Sequence, residues 1–179
     1  MSVFEYNFEQ YKSLSPDLYR KEKYNLQVEL LKLQEDVIKK KRKIAICFEG
    51  RDTAGKSSTI NFFSEHLIPS NFNYVHLGIP TKKERKNWFE RYETYLPNKG
   101  QIVLFDRSWY TRALTEPTLG YCSKKQYEEF MTKVNKWEKS LVKKGTELVK
   151  FYFSIDKDQQ KRRINARKNS KLKYWKLSE

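Results

Sequence analysis

Eight consecutive residues, Gly50-Arg51-Asp52-Thr53-Ala54-Gly55-Lys56-Ser57, satisfy the spacing G-x-x-x-x-G-K-[ST] without a gap. Such a segment works where a strand hands the chain to a helix. Its glycines let the backbone bend so that successive N–H groups and the helix N-terminus converge on phosphate oxygens. Lys56 adds a point charge at the bound group, and the Ser57 hydroxyl can ligate Mg2+. The flanks agree. Ile44–Glu49 is a short apolar run that reads as a buried parallel strand, and Lys56–Leu67 reads as a helix. The residues expected against phosphate are Gly50, Arg51, Thr53, Ala54, Gly55, Lys56, Ser57 and Ser58.

The same alternation continues along the chain. Ser15-Pro16-Asp17 is a helix start, and Leu26, Leu30, Leu33 and Val37 recur at helical spacing ahead of the basic run Lys39–Lys43. Tyr74–Leu77 reads as a second strand and Lys83–Tyr95 as a helix stopped before Pro97. Ile102–Phe105 reads as a third strand. Lys124–Lys143 is an amphipathic helix with Phe130, Val134, Trp137 and Leu141 on one face; Leu148–Phe153 is a fourth strand, followed by a basic helix from about Lys157 to Arg167. Strands alternating with helices predict an α/β, three-layer P-loop kinase-like fold around a mostly parallel sheet. The expected division is an N-terminal helical extension over residues 1–43, a P-loop core over 44–155 and a basic lid segment over 156–179.

A chain of 179 residues with 38% hydrophobic and 15% aromatic residues can bury one real core, which excludes a disordered chain. Its formal net charge of +15 calls for a polyanionic partner: nucleic acid, an anionic membrane, nucleotides or inorganic phosphate chains. Nine Lys/Arg against two acids fall between Lys157 and Glu179, as a clamp for anions or a solvated basic face. Two cysteines, Cys47 and Cys122, fit a reducing compartment, with Cys47 a core residue of the first strand. No charged-then-apolar leader opens the chain and no apolar stretch approaches 18 residues, so a cytoplasmic protein without a membrane partner is expected.

Other polar residues complete the candidate site. Asp106 follows the apolar strand Ile102–Phe105, where a carboxylate emerges at the sheet's carboxyl edge as a Mg2+ ligand, or caps the next turn. Asp52, inside a phosphate loop, reads as a second Mg2+ ligand or as a partner of Arg51 or Arg107. Arg107 can bridge donor and acceptor phosphates, or form an ordinary ion pair. Arg163 and Arg167, four apart on one helical face, suit a closing lid over the transferring group. His66 and His76 lack any ligand spacing and read as packing or surface residues.

Four segments carry a resemblance. FEGRDTAGKSSTI (Phe48–Ile60), RYETYLPNKGQIVLFDRSWYTRA (Arg91–Ala113), FSIDKDQQKRRINAR (Phe153–Arg167) and KYWKLS (Lys173–Ser178) resemble the second family of polyphosphate kinases, which phosphorylate nucleotides from inorganic polyphosphate. The likeness runs from about Tyr24 to the end, and FDRSWYTRA discriminates best. It is most similar to the subgroup acting on nucleoside diphosphates. The resemblance implies catalytic roles for Asp52, Lys56, Asp106, Arg107, Arg163 and Arg167, with Mg2+ held by Asp52, Asp106 and Ser57. It places Trp109, Tyr110, Arg112 and Glu116 toward the acceptor nucleotide. Thr111 stands where the family usually has Asn. Family members continue beyond the KLS segment, so this chain is expected to lack a C-terminal portion that completes the sheet edge and supports the lid.

The expected activity is therefore transfer of the terminal phosphoryl of polyphosphate to ADP or GDP, in either direction, with Mg2+. The expected partners are polyphosphate, ADP/ATP or GDP/GTP and further copies of the chain; nucleic acid is not among them. Two alternatives stay open: a nucleoside monophosphate kinase of thymidylate kinase type, and a truncated polyanion-binding module without turnover.

Overall fold

The first strand sets the architecture. In β1 (Lys43–Gly50), Ala45 and Cys47 point to one side and Ile44, Ile46 and Phe48 to the other, and all five are buried. A strand apolar on both faces must be covered on both. The computed structural model, which describes residues 14–174, has that arrangement. Four strands, β1, β2 (Phe72–Val75), β3 (Gln101–Asp106) and β4 (Thr146–Phe153), form one sheet in the order β2-β3-β1-β4, with every pairing parallel. The strand carboxyl ends therefore share one edge of the sheet.

Helices form the outer layers. α1 (Pro16–Lys39) and α2 (Lys56–Ser64) cover one face, where Val37 and Ile60 pack with Ile44, Ile46, Phe48, Ile102 and Leu104. The chain continues through α3 (Lys82–Lys86), and the other face is covered by α4 (Glu90–Glu93), α5 (Thr111–Leu114) and α6 (Lys124–Lys143). There Trp88, Tyr92, Trp109, Phe130 and Val134 close over Ala45, Cys47, Val103 and Phe105. α7 (Lys157–Lys168) follows β4 and buries none of its residues. Among the described residues, no helix is long and apolar enough to cross a membrane.

Several elements differ from the sequence expectation. The segment expected as one helix over Lys83–Tyr95 is two short helices, α3 and α4. A capping box of Thr81 and Glu84 starts α3, and the chain leaves helical geometry at Asn87. The break turns Trp88 inward, where its Nε1 donates to the Trp109 carbonyl at 2.9 Å. β2 runs two residues earlier than Tyr74–Leu77, because Phe72 pairs with Ile102 and the ladder ends at Val75 beside Phe105. α2 stops at Ser64 rather than Leu67.

The inner face of α1 keeps the expected stripe only in its second half, where Val37 is buried and Leu33 packs against the core. Leu26 is exposed, and the buried positions are Gln27, Gln34 and Val37. Gln34 exchanges two hydrogen bonds with the Ile68 backbone, at 2.6 and 3.0 Å, and Gln27 donates to the Phe62 carbonyl. These amides satisfy the backbone at the end of α2 and beyond it, which is why an apolar period misreads the helix. Parts of the expected extension and lid, residues 1–13 and 175–179, lie outside the described residues.

Candidate active site

Because the sheet is all parallel, the residues after β1, β2, β3 and β4 emerge along one edge. The loop after β1 opens with Gly50 at φ +135°, and a Cβ there would sit 2.3 Å from the Phe153 carbonyl oxygen at the end of β4. Only glycine fits. Gly55, at φ 109°, precedes α2, which has no side-chain cap; its first N–H groups are left for an anion. Lys56 is buried, and its ammonium donates to the carbonyls of Gly50 and Arg51, both at 2.9 Å. Burial and the neighbouring Arg107 hold its pKa below the usual lysine value, against the pull of Asp106, Asp52 and Glu49. Ala54 is buried, Thr53 and Gly55 are half-buried, and Arg51, Ser57 and Ser58 are exposed.

Asp106, the last residue of β3, is 3% exposed. Its Oδ2 accepts hydrogen bonds from Ser57 Oγ at 2.6 Å and from the Tyr74 hydroxyl at 3.0 Å. His76 Nδ1 stands 4.0 Å from the same oxygen. Burial, then Asp106 itself, pushes the Tyr74 phenol up to about 12, so the hydroxyl stays a donor at neutral pH. Arg107 follows at φ +66°, its N–H donating to the Phe48 carbonyl and its Nη1 to Thr115 Oγ1 at 3.0 Å.

α7 lies against the outside of the P-loop. Gln160 donates to the Asp52 carbonyl and Arg163 to the Thr53 carbonyl, while Arg167 Nη1 pairs with the Asp52 carboxylate at 3.2 Å. Asp52 is thus partnered by α7 rather than by Arg51 or Arg107, and its side chain remains 47% exposed.

The residues expected on the acceptor side divide. Trp109 is fully buried, with its Nε1 donating to Glu138 at 2.9 Å, so its ring belongs to the core. Arg112 and Glu116 form a buried ion pair at 3.0 Å, with the guanidinium 4.0 Å above the Trp88 ring. Burial pushes the Glu116 carboxyl above its ordinary range, against Arg112, Arg85 and Arg91. Tyr110 is half-buried, and its hydroxyl accepts from Lys150 at 3.0 Å.

Sequence reasoning missed three participants. Tyr74 and His76 reach Asp106 only because β2 pairs with β3, a long-range contact that no local pattern signals. Glu49 had a visible signal, a carboxylate closing an apolar run. Its Oε1 accepts from the Ser108 N–H at 2.6 Å and from Ser108 Oγ at 2.7 Å.

Comparison with known proteins agrees with this geometry. The family model for Polyphosphate kinase 2 (PPK2) matches residues 13–179. A GDP-polyphosphate phosphotransferase of Pseudomonas aeruginosa is 45% identical over 161 residues, covering 89% of this chain and 45% of that protein. An ADP-polyphosphate phosphotransferase of the same organism is 44% identical over 166 residues, covering 92% and 55%. The chain spans about half the length of these curated relatives. A crystal structure described as a polyphosphate kinase 2 from Pseudomonas aeruginosa superposes with a TM-score of 0.85 at 31% identity, over 94% of this chain and 37% of that one. Polyphosphate Kinase 2 from Arthrobacter aurescens TC1 gives 0.83 at 26% identity, over 93% and 61%. A P-loop opening on Gly50, an Asp106 turn hydrogen-bonded to Ser57, and a sequence match over almost the whole length converge: the chain belongs to the polyphosphate kinase 2 family.

Proposed function

We propose that this chain transfers the terminal phosphoryl group of inorganic polyphosphate to a nucleoside diphosphate, ADP or GDP. The observation that carries the reading is the contact between the Ser57 hydroxyl and the Asp106 carboxylate, 2.6 Å apart at the mouth of the P-loop beside Lys56. The relatives' names supply the substrate class, and the net charge of +15 suits a donor and an acceptor that are both polyanions.

The donor set fits Mg2+. Ser57 and Asp106 offer hard oxygen atoms, and no cluster of three or more His, Cys, Asp or Glu able to hold a metal occurs among the described residues. A cation with one or two protein ligands that takes the rest of its shell from phosphate and water is the habit of Mg2+. When bound, it would neutralise charge on the phosphate oxygens. The chain's own groups do the remainder. The α2 N-terminus and Lys56 bind the donor end, Arg107 bridges toward the acceptor, and Arg163 and Arg167 close from α7 and exclude water. Asp52, paired with Arg167 and half exposed, would be a further oxygen ligand for the cation.

One assay separates the readings. ATP formation from ADP and polyphosphate supports the proposal. Transfer from ATP to dTMP would instead mark a nucleoside monophosphate kinase, and tripolyphosphate binding without any transfer would mark a polyanion-binding module.

A further inference from the structure

The turn carrying Asp106 and Arg107 is held by a buried carboxylate that precedes the P-loop. Ser108 is fully buried, and both its N–H and its Oγ donate to one oxygen of Glu49, at 2.6 and 2.7 Å. Ser108 Oγ then accepts from the Tyr110 N–H at 3.3 Å, so the grip extends through the turn. Arg107 needs such support. It is a non-glycine residue at φ +66°, a conformation costing about 1–2 kcal/mol that persists only where its surroundings enforce it. Glu49 directly precedes Gly50, the first P-loop residue. One buried carboxylate therefore joins the start of the P-loop to the residue after Arg107. The charges around Glu49 are Arg107 and Lys56, the two cations assigned above to phosphate binding, with Asp106 at the end of the neighbouring strand.

We propose that Glu49 is a positioning residue that holds the P-loop and the Asp106–Arg107 turn in fixed register, so that Lys56 and Arg107 meet the same phosphoryl group. This rests on the phosphoryl-transfer reading for its catalytic consequence, but not for the grip itself. The competing account is electrostatic: Glu49 merely balances Lys56 and Arg107. The two differ in what a neutral acceptor does. Glu49→Gln keeps an oxygen for Ser108 and loses the charge; Glu49→Ala loses both.

The experiment uses the full chain and three variants, Glu49→Gln, Glu49→Ala and Ser108→Ala. It reads backbone hydrogen exchange across residues 106–110 together with kcat and KM for polyphosphate with ADP. Positioning predicts that Glu49→Gln keeps the turn protected and kcat within about threefold of wild type. Glu49→Ala should speed exchange on the order of tenfold or more, because the Ser108 N–H and Oγ both lose their charged acceptor. It should also lower kcat on the order of 100-fold while KM stays within about threefold, because misplacement and not binding is the defect. Ser108→Ala, which removes half the grip, should fall between, at about tenfold in kcat. Equal behaviour of Gln and Ala in either readout overturns the proposal, as does a raised KM at unchanged kcat. If Glu49→Ala does not fold, an unaffected Ser108→Ala overturns it alone. A wild type that transfers nothing defeats the phosphoryl-transfer reading instead, and hydrogen exchange in the variants still decides whether Glu49 holds the turn.

Discussion

Two carboxylates belong to the candidate phosphate site, Asp106 at the end of β3 and Asp52 inside the P-loop, and the fold treats them differently. Asp106 belongs to the floor: it ends a buried strand, is 3% exposed, and is held by Ser57 and Tyr74. Asp52 belongs to the roof contact: its side chain is 47% exposed and pairs with Arg167 of α7, a helix with no buried residue. The floor is continuous with the core through Ser108, Glu49, Trp109 and Glu138. The roof rests on Arg163, Arg167 and Gln160. A site built this way has one half fixed before substrate arrives and one half whose contacts can be exchanged when it does.

The largest effect should come from the floor. Lys56→Ala removes a charge-assisted phosphate contact and should lower kcat on the order of 1,000-fold or more with the fold retained. A variant keeping over about a tenth of wild-type activity would remove Lys56 from the site. Next, Asp106→Asn keeps the shape and loses the charge that would hold the cation, for a loss on the order of 100-fold that extra Mg2+ restores only in part. Normal turnover of this variant at sub-millimolar Mg2+ would leave Asp106 as a turn cap.

How far these residues could be read from sequence follows the same division. The P-loop, its flanking strand and helix, and α6 over Lys124–Lys143 were legible because each is a local pattern: fixed glycine spacing, an apolar run, a 3.6 period. Asp106 was legible because it ends such a run. Tyr74, His76 and Glu49 depended on strand pairing and on a turn folded back beneath the P-loop, so local spacing could not supply their partners. Trp109 shows a different limit. The motif that resembles a known family put it at the acceptor side, and packing put its ring in the core. A motif records which residues recur together, not which way each side chain points.

The roof should give a smaller and separable effect. Replacing Arg163 and Arg167 together by Gln should depress turnover about tenfold, and replacing Lys157 and Lys161 should weaken polyphosphate affinity and its salt dependence while sparing turnover. Initial rates for both pairs at two salt concentrations decide it; indistinguishable turnover would abolish the distinction between lid and solvated face. The smallest effect on chemistry belongs to the core behind the floor. Trp109→Phe removes the donor to Glu138 and leaves space, lowering unfolding free energy by about 2 kcal/mol in urea titration. The Arg163/Arg167 variant should leave the urea midpoint nearly unchanged, and a fall comparable to Trp109→Phe would mean that α7 is part of the core after all.

The near-contact of Gly50 with the Phe153 carbonyl has a consequence for anyone redesigning this chain. Phe153 is the last residue of β4, and α7 begins four residues later, at Lys157. The doorway of the phosphate loop and the strand end that leads into α7 are paired neighbours in the sheet, pressed together where no side chain fits. A library that enlarges the loop at its first residue will also pry up the base of α7, and will report a single combined defect. The two parts can be tuned separately only farther out, from Arg51 onward on one side and from Ser154 onward on the other.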